Sequence, residues 1–287
     1  MKIIRSVQMM MKEVANVNKK IGFVPTMGFL HAGHLSLVKE AKQENDIVVM
    51  SIFVNPLQFG PNEDFERYPR DEQQDAKVAE QHGVDILFLP TVDDMYPDEL
   101  GIKMTINQGT DVLCGRSRPG HFDGVITVLT KLFHIVQPNH AYFGLKDAQQ
   151  FAVVNTLVTQ LDFPVQIVGL PTIREGDGLA KSSRNVYLSK IERKEAKSLY
   201  LGLKLGQKLI VDGIKNPATI IKEVKKFISI NSSGKIDYIE LLSFPNLKSI
   251  TTINQQVILA VAVNFSNARL IDNVILNEEG SFIDRIS

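Results

Sequence analysis

The chain has 287 residues, 44% of them hydrophobic and 22% charged, and its 32 Lys and Arg are balanced by 32 Asp and Glu. The length predicts two domains, or one large and one small, and the composition excludes a disordered, collagen-like or low-complexity chain. A formal net charge of zero offers no general polyanion-binding surface, so nucleic acid is not an expected partner.

The first twenty residues hold no continuous apolar core followed by a small-residue cleavage site, so they are not read as a signal peptide. Ile21 to Pro25 reads as a strand, followed by a glycine-containing turn and a helical pattern from about Gly33. Ile47 to Val54 is apolar nearly throughout, the mark of a strand covered on both faces. A helix from about Asp71 to His82, closed by Gly83, precedes a strand at Ile86 to Leu89. The one cysteine, Cys114, cannot make an internal disulfide, which fits a reducing, cytoplasmic setting. A helix from about Asp123 to Val136, a strand at Ala141 to Phe143, a helix from about Asp147 to Leu161 and a strand at Val165 to Val168 follow. This alternation predicts an α/β fold with a doubly wound parallel sheet, whose ligands lie at the carboxyl ends of the strands.

After the polar, Gly-rich stretch from Arg174 to Asn185 the rhythm changes. Ser189 and Glu192 form a possible capping box for a long helix ending near Gly213, and Asn216-Pro217 opens a second helix. Strands are expected around Ile236 to Leu242, Val257 to Val263 and Val274 to Leu276. Val257 to Val263 is the longest apolar run, far short of the roughly 18 residues of a membrane span, so no membrane partner is expected. The predicted organisation is a ligand-binding domain over residues 1–175 and a second, smaller α+β domain over 176–287.

Four strand-end or hinge loops carry candidate chemistry. After the first buried strand, Pro25-Thr26-Met27-Gly28-Phe29-Leu30-His31-Ala32-Gly33-His34 leads into a helix start, a spot where free N–H groups and the positive helix end favour phosphate. His31 and His34 are three apart and can face one side, donating to phosphoryl oxygens. His34 also shares helical spacing with Leu37, Val38 and Ala41, so a satisfied core histidine is an open reading, and a metal-ligand pair another. The aperiodic stretch Asn55 to Arg70 leaves the next buried strand, with Asn55 and Gln58 at its root; Asn55-Pro56 also reads as a simple turn signal. In Phe143-Gly144-Leu145-Lys146-Asp147-Ala148-Gln149-Gln150, Lys146 can neutralise polyphosphate, while Asp147 and Gln150 have capping-box spacing. Gln150 also shares a stripe with Val154, Leu157 and Leu161, which predicts that it points inward. Lys181-Ser182-Ser183-Arg184 suits a mobile phosphate clamp or a solvated linker, and Gly115 to His121 is a further basic loop with the same ambiguity.

Taken together, HAGH and the later serine-rich basic loop resemble the HIGH/KMSKS nucleotidyltransferase superfamily. Within it, PTMGFLHAGH, SIFVNPLQFGPNEDFERYPRD, RPGHFDGV, FGLKDAQQ and SSRN occur in the order found in the pantoate–β-alanine ligase family. The resemblance covers essentially the whole chain and is strongest from about residue 20 to 190. It implies a Rossmann-like domain, with the C-terminal domain closing over the site, and an AMP-forming ligase that makes an amide bond. Pantoate attacks the α-phosphorus of ATP to give pantoyl adenylate and pyrophosphate; β-alanine then takes the acyl group and releases AMP.

The resemblance also implies residue roles. Met27, Gly28, Phe29, Leu30, His31, Ala32, Gly33 and His34 would line the ATP site, with His34 as proton donor and His31 on the phosphates. Gly144, Leu145, Lys146 and Asp147 would contact the nucleotide, with Lys146 on its phosphates and Ile173 near adenine. Lys181, Ser182, Ser183 and Arg184 would clamp the leaving pyrophosphate. Gln58 and Gln150 would hold pantoate, and Gln58 would also meet β-alanine. Mg²⁺ would bridge ATP oxygens, with Asp75 near it, and the protein would be a homodimer. Two positions depart from the family pattern: Leu145 stands where Glu is common, and Lys181 where an apolar residue is common. A cytidylyl- or adenylyltransferase acting on a phosphorylated substrate is the nearest rival reading, and an inactive nucleotide-binding module is another. A tRNA synthetase fits less well, for want of an anticodon-binding module.

Overall fold

The computed structural model describes residues 1–61, 63 and 65–287. Its contacts divide the chain into two compact units. The first comprises Met1–Gly144, Val153–Leu170 and Ile286–Ser287; the second comprises Leu145–Ala152 and Pro171–Arg285. Asn62 and Asp64, within the predicted loop 55–70, lie outside the described residues.

In chain order, the first unit begins with strand β1 (Lys2–Ile4) and helix α1 (Val7–Val14), which the sequence reading did not anticipate. It continues with β2 (Ile21–Thr26), α2 (Ala32–Glu44), β3 (Ile47–Ile52), α3 (Glu72–Gln81), β4 (Ile86–Phe88), α4 (Val92–Met95), α5 (Leu113–Ser117), α6 (His121–Val136) and β5 (His140–Gly144). Helix α7 (Ala148–Gln160) leads to β6 (Gln166–Leu170). The six strands form one parallel sheet in the order β1-β4-β3-β2-β5-β6, with β2 central. The chain runs from β2 to β3 on one side and later reaches β5 on the other, so the order reverses at β2. The loops leaving β3, β2 and β5 therefore start from three adjacent carboxyl ends, where a crevice opens in such sheets.

Both faces of the sheet are covered, which explains the unbroken apolar runs. Val24, Val48, Met50 and Leu87 pack with Leu37, Val38 and Ala41 of α2 and Ala79 of α3. Phe23, next along β2, points to the opposite face, where its ring meets Phe133 of α6 edge-on at 6.5 Å. Burying each such side chain contributes roughly 1.5–3 kcal/mol, offset by the entropy of ordering it.

The second unit contains α8 (Lys190–Glu195), α9 (Lys197–Val211), α10 (Pro217–Asn231), and strands β7 (Lys235–Ser243), β8 (Val257–Asn264) and β9 (Arg269–Leu276). These strands make an antiparallel sheet in the order β7-β8-β9. Leu203, Ile220, Val224, Leu259 and Val261 belong to its core. The single long helix expected after Ser189 is two helices meeting at Ala196, although Ser189 and Glu192 do form the capping box. Strand β9 begins five residues earlier than expected: from Arg269 its partly and fully buried residues alternate, a weaker signal than the continuous apolar end. Among the described residues, no helix is long and apolar enough to cross a membrane.

Candidate active site

Strand β2 ends in a loop whose backbone is bent into an uncommon shape. Gly28 has φ of +85° and Phe29, a non-glycine, has φ of +52°. A side chain at Gly28 would meet both restrictions, because an added Cβ would lie 2.9 Å from Asp75 Oδ2 and from Ile52 Cγ2. The loop is held in this shape by Asp75 on α3. Its carboxylate is 3% exposed and accepts from Phe29 N at 2.7 Å and Leu30 N at 2.8 Å. Thr26 adds a hydroxyl that accepts from Gly28 N at 3.2 Å and donates to Ser51 O at 2.8 Å.

The loop delivers His31 and His34 to the start of α2 as an unusual capping box. His31 Nδ1 accepts from Gly33 N at 3.1 Å, and His34 Nδ1 accepts from His31 N at 3.3 Å. The rings stack with centroids 4.1 Å apart and planes inclined by 29°. Because each Nδ1 accepts, each ring proton sits on Nε2. His34 is half-buried, whereas Leu37, Val38 and Ala41 of the same stripe are fully covered. The core-histidine reading therefore loses to a partly exposed, oriented imidazole. Met27 and Leu30 are half-buried and Ala32 is exposed on the same segment, as is Phe29.

Gln58 closes a 3₁₀ turn, Pro56–Gln58, that follows β3. Its side chain is 8% exposed; Oε1 accepts from Asn55 Nδ2 at 3.1 Å and Nε2 lies 3.1 Å from Met27 Sδ. Asn55 also donates to Gly124 O and accepts from the Tyr96 hydroxyl at 3.0 Å. Burial pushes the Tyr96 phenol well above its ordinary pKa, so it stays a donor. The main-chain carbonyl of Gln58 accepts from His121 Nδ1 at 2.8 Å, while Arg118 donates to His121 Nε2 at 3.0 Å and pairs with Glu63. Burial raises the Glu63 carboxyl, and the hydrogen bonds and charge of Arg118 outweigh it, leaving the pKa below the usual value. Helix α6 approaches this turn so closely that a Cβ on Gly124 would sit 2.3 Å from Leu57 O. The support from Gly124, His121 and Arg118 was missed in the sequence beyond a basic loop of unsettled purpose, because the partners lie about sixty residues apart.

In the second unit, Leu145–Asp147 forms a 3₁₀ turn between β5, which ends at Gly144, and α7. Leu145 is 4% exposed, so the departure from the family's Glu places an apolar side chain in the interior. Lys146 is half-buried, with Nζ 3.7 Å from Asp147 Oδ1, and Asp147 is exposed. The inward stripe predicted for α7 holds at Val154 and Leu157 and fails at Leu161, which is 54% exposed just past the helix end. The buried amide is Gln149, whereas Gln150 is half-buried.

Ile173 is half-buried and its carbonyl accepts from Lys181 N at 2.8 Å. Ser182 caps a short 3₁₀ helix, Ser183–Tyr187, by accepting from Arg184 N at 3.3 Å. Lys181 Nζ lies 3.9 Å from Glu175, so the extra cation has an acidic neighbour. Ser182, Ser183 and Arg184 are all half-buried. Leu145, Thr172, Arg174, Tyr200 and Asn273 share the lining of one cleft in this unit.

The fit of a magnesium ion can be tested on these donors. Among the described residues, no group of three or more His, Cys, Asp or Glu could hold a metal ion. Both Asp75 oxygens are already engaged by the backbone of the 28–30 loop. The described side chains do not form a magnesium cage.

The profile of the pantoate-beta-alanine ligase family matches residues 1–275. This chain belongs to the pantoate-beta-alanine ligase family. It is 56% identical over 274 residues to the pantothenate synthetase of Geobacillus sp. (strain WCH70), covering 96% of this chain and 97% of that relative. It is 58% identical over 266 residues to the pantothenate synthetase of Bacillus subtilis (strain 168), covering 93% of each. Among solved structures, the pantothenate synthetase of Thermus thermophilus is similar, with TM-score 0.91 and 43% identity over 96% of this chain and 99% of that one. The Francisella tularensis pantoate-beta-alanine ligase, complexed with beta-gamma ATP and beta-alanine, has TM-score 0.77 and 35% identity over 98% and 100% of the two chains. The predicted α/β fold, with a parallel sheet and a smaller α+β C-terminal part, is the fold observed; the C-terminal sheet is antiparallel, and the whole matches the Thermus structure.

Proposed function

We propose that His31 and His34 act on the triphosphate in the reaction of the pantoate-beta-alanine ligase family. That reaction is the ATP-dependent condensation of pantoate with β-alanine through pantoyl adenylate, releasing AMP and pyrophosphate. A carboxylate is a poor acylating agent because oxide is a poor leaving group; adenylation supplies AMP as the leaving group instead. The observation that carries the residue assignment is the double imidazole cap. Two ring protons are fixed on Nε2 at the start of a thirteen-residue helix, and their Nδ1 atoms are occupied by backbone N–H groups. Such donors stabilise charge that grows on phosphoryl oxygens as the α–β bond breaks, and the helix N-terminus adds to the same field.

In this reading Met27 to His34 line the ATP site, with His34 as proton donor. Gln58 presents its amide to the pantoate carboxylate or hydroxyl and to the β-alanine amine, and its orientation comes from Asn55. In the second unit, Lys146 takes phosphate charge, Gln150 binds pantoate, the backbone near Ile173 meets adenine, and Lys181 to Arg184 take the leaving pyrophosphate. Displacement at phosphorus needs positioning and charge stabilisation more than covalent help. Magnesium bound with ATP would neutralise phosphate charge; Asp75 would be the acidic residue near it, and the described side chains supply no cage of their own. A cytoplasmic homodimer is part of the same proposal, and a monomeric mass by light scattering at micromolar concentration would reject the dimer.

The test is ATP–pyrophosphate exchange with Mg²⁺ and pantoate, without β-alanine. Exchange that depends on pantoate is the expected result, since it isolates carboxylate adenylation. If neither exchange nor AMP release on adding β-alanine occurs, the reading fails in favour of another nucleotidyl transfer or an inactive relative.

A further inference from the structure

The second unit contains a buried polar cluster that none of the roles above uses. Asn273 on β9 is 8% exposed and directs its amide nitrogen at two carbonyls, Leu145 O at 3.0 Å and Lys146 O at 2.8 Å. Those carbonyls belong to the short 3₁₀ turn that carries Lys146, a geometry with little stability of its own. The backbone N–H of Asn273 donates to Asp272 Oδ1 at 2.8 Å. Asp272, 3% exposed, accepts both arms of the Arg174 guanidinium, at 2.7 and 2.9 Å. Arg174 also donates to Gly178 O at 3.1 Å and lies 3.8 Å over the Tyr200 ring. It is paired with Ala180 in an antiparallel bridge, directly before Lys181.

We propose that Asn273, fixed by Asp272 and Arg174, is a positioning residue that holds the Lys146 turn in register with the root of the Lys181–Arg184 loop. Only an amide suits this place among residues of its shape. Both protons of Asn273 Nδ2 are spent on carbonyls, whereas an aspartate there would set acceptors against acceptors. Fixing two consecutive carbonyls fixes the peptide planes on either side of Lys146, and with them the direction of its side chain. The bidentate, ring-stacked Arg174 gives the cluster a rigid base that a lysine would not reproduce. Two segments assigned to phosphate thus share one anchor, and a shift of a few tenths of an ångström at the anchor would reach both.

The inference rests on the reading that Lys146 meets the nucleotide, and the experiment separates the two. ATP–pyrophosphate exchange is measured for the full-length protein and for Asn273→Ala, Lys146→Ala and the double variant. The expected result is that Asn273→Ala lowers kcat/KM for ATP about tenfold in the parent, and by less than about twofold once Lys146 is already alanine. Equal loss in both backgrounds, or no loss in the parent, overturns the positioning role while leaving the Lys146 reading intact. Full activity of Lys146→Ala overturns the Lys146 reading and the inference together. Thermal unfolding of each variant reports folding. Asn273→Ser, which keeps one donor, repeats the cycle if the alanine variant does not fold, with a smaller loss and the same dependence on Lys146.

Discussion

Replacing Asp75 with Asn tests the loop that presents the two histidines. The substitution keeps the size of the side chain and one acceptor oxygen, and sets an NH2 group against the second backbone N–H. Two hydrogen bonds are at stake, at 2.7 Å to Phe29 N and 2.8 Å to Leu30 N, both to a buried carboxylate. A hydrogen bond to a charged group contributes about 1.5–3 kcal/mol, so losing one costs about 2 kcal/mol. The bond also opposes strain, because holding Phe29 at φ of +52° costs on the order of 1 kcal/mol. Releasing the loop by about 2 kcal/mol lowers the equilibrium constant for forming the cap roughly thirtyfold, and kcat/KM for ATP falls by up to that factor. Urea unfolding measures the stability loss, and pyrophosphate exchange over a range of Mg²⁺ measures the kinetic one. An unchanged urea midpoint together with unchanged kcat/KM would refute the clamp. Recovery of activity with excess Mg²⁺ would refute it too, because it would make Asp75 a metal ligand rather than a backbone partner.

Two further outcomes follow from the site and the second unit. His34→Ala is expected to lower kcat by at least about two orders of magnitude through lost transition-state stabilisation. His34→Gln keeps an acceptor for the helix cap, so a comparable loss there assigns the effect to chemistry, and a near-normal rate would refute the role. The Glu192 carboxylate accepts backbone N–H groups of Ser266 and Ser189, at 2.8 and 2.9 Å, and these hold its pKa down to about 2. A depressed carboxylate contributes stability that is whole above its unfolded pKa, near 4.5, and is lost as pH falls toward 2. Urea midpoints should drop across that window in the parent and drop less in Glu192→Gln; parallel curves would remove Glu192 from the acid transition.

Much of this architecture was legible because its signals are local. Unbroken apolar runs at β2 and β3 announced strands covered on both faces, and the histidine spacing at the head of α2 announced a polar helix start. The capping residues Ser189 and Asn216 marked their helices correctly. Strand β1 and helix α1 were missed since three residues of strand carry almost no periodicity, and β1 gains its partner, β4, only across more than eighty residues. For Asp75 the family pattern offered a place near the metal but not its structural task, which is to accept with both oxygens from a loop forty-five residues away. Gln150 was expected inside on helical spacing; its stripe partners Val154 and Leu157 are buried, whereas Gln150, in the first turn of α7, is half-covered and its neighbour Gln149 is the buried amide.

The sequence by itself determined the order and kind of the main elements and the chemistry available at each strand end. Hydrophobic period and turn residues act over a few positions, and the family's motifs are short. Only the tertiary structure decided which groups hold those motifs in place. The left-handed pair at Gly28 and Phe29 needs a carboxylate from α3, the Gln58 turn needs a glycine on α6, and the Lys146 turn needs an amide from β9. These are contacts between residues far apart in the chain, made by burying polar atoms that must find a partner once water is excluded. Nothing in the local pattern names that partner; the packing of the elements does.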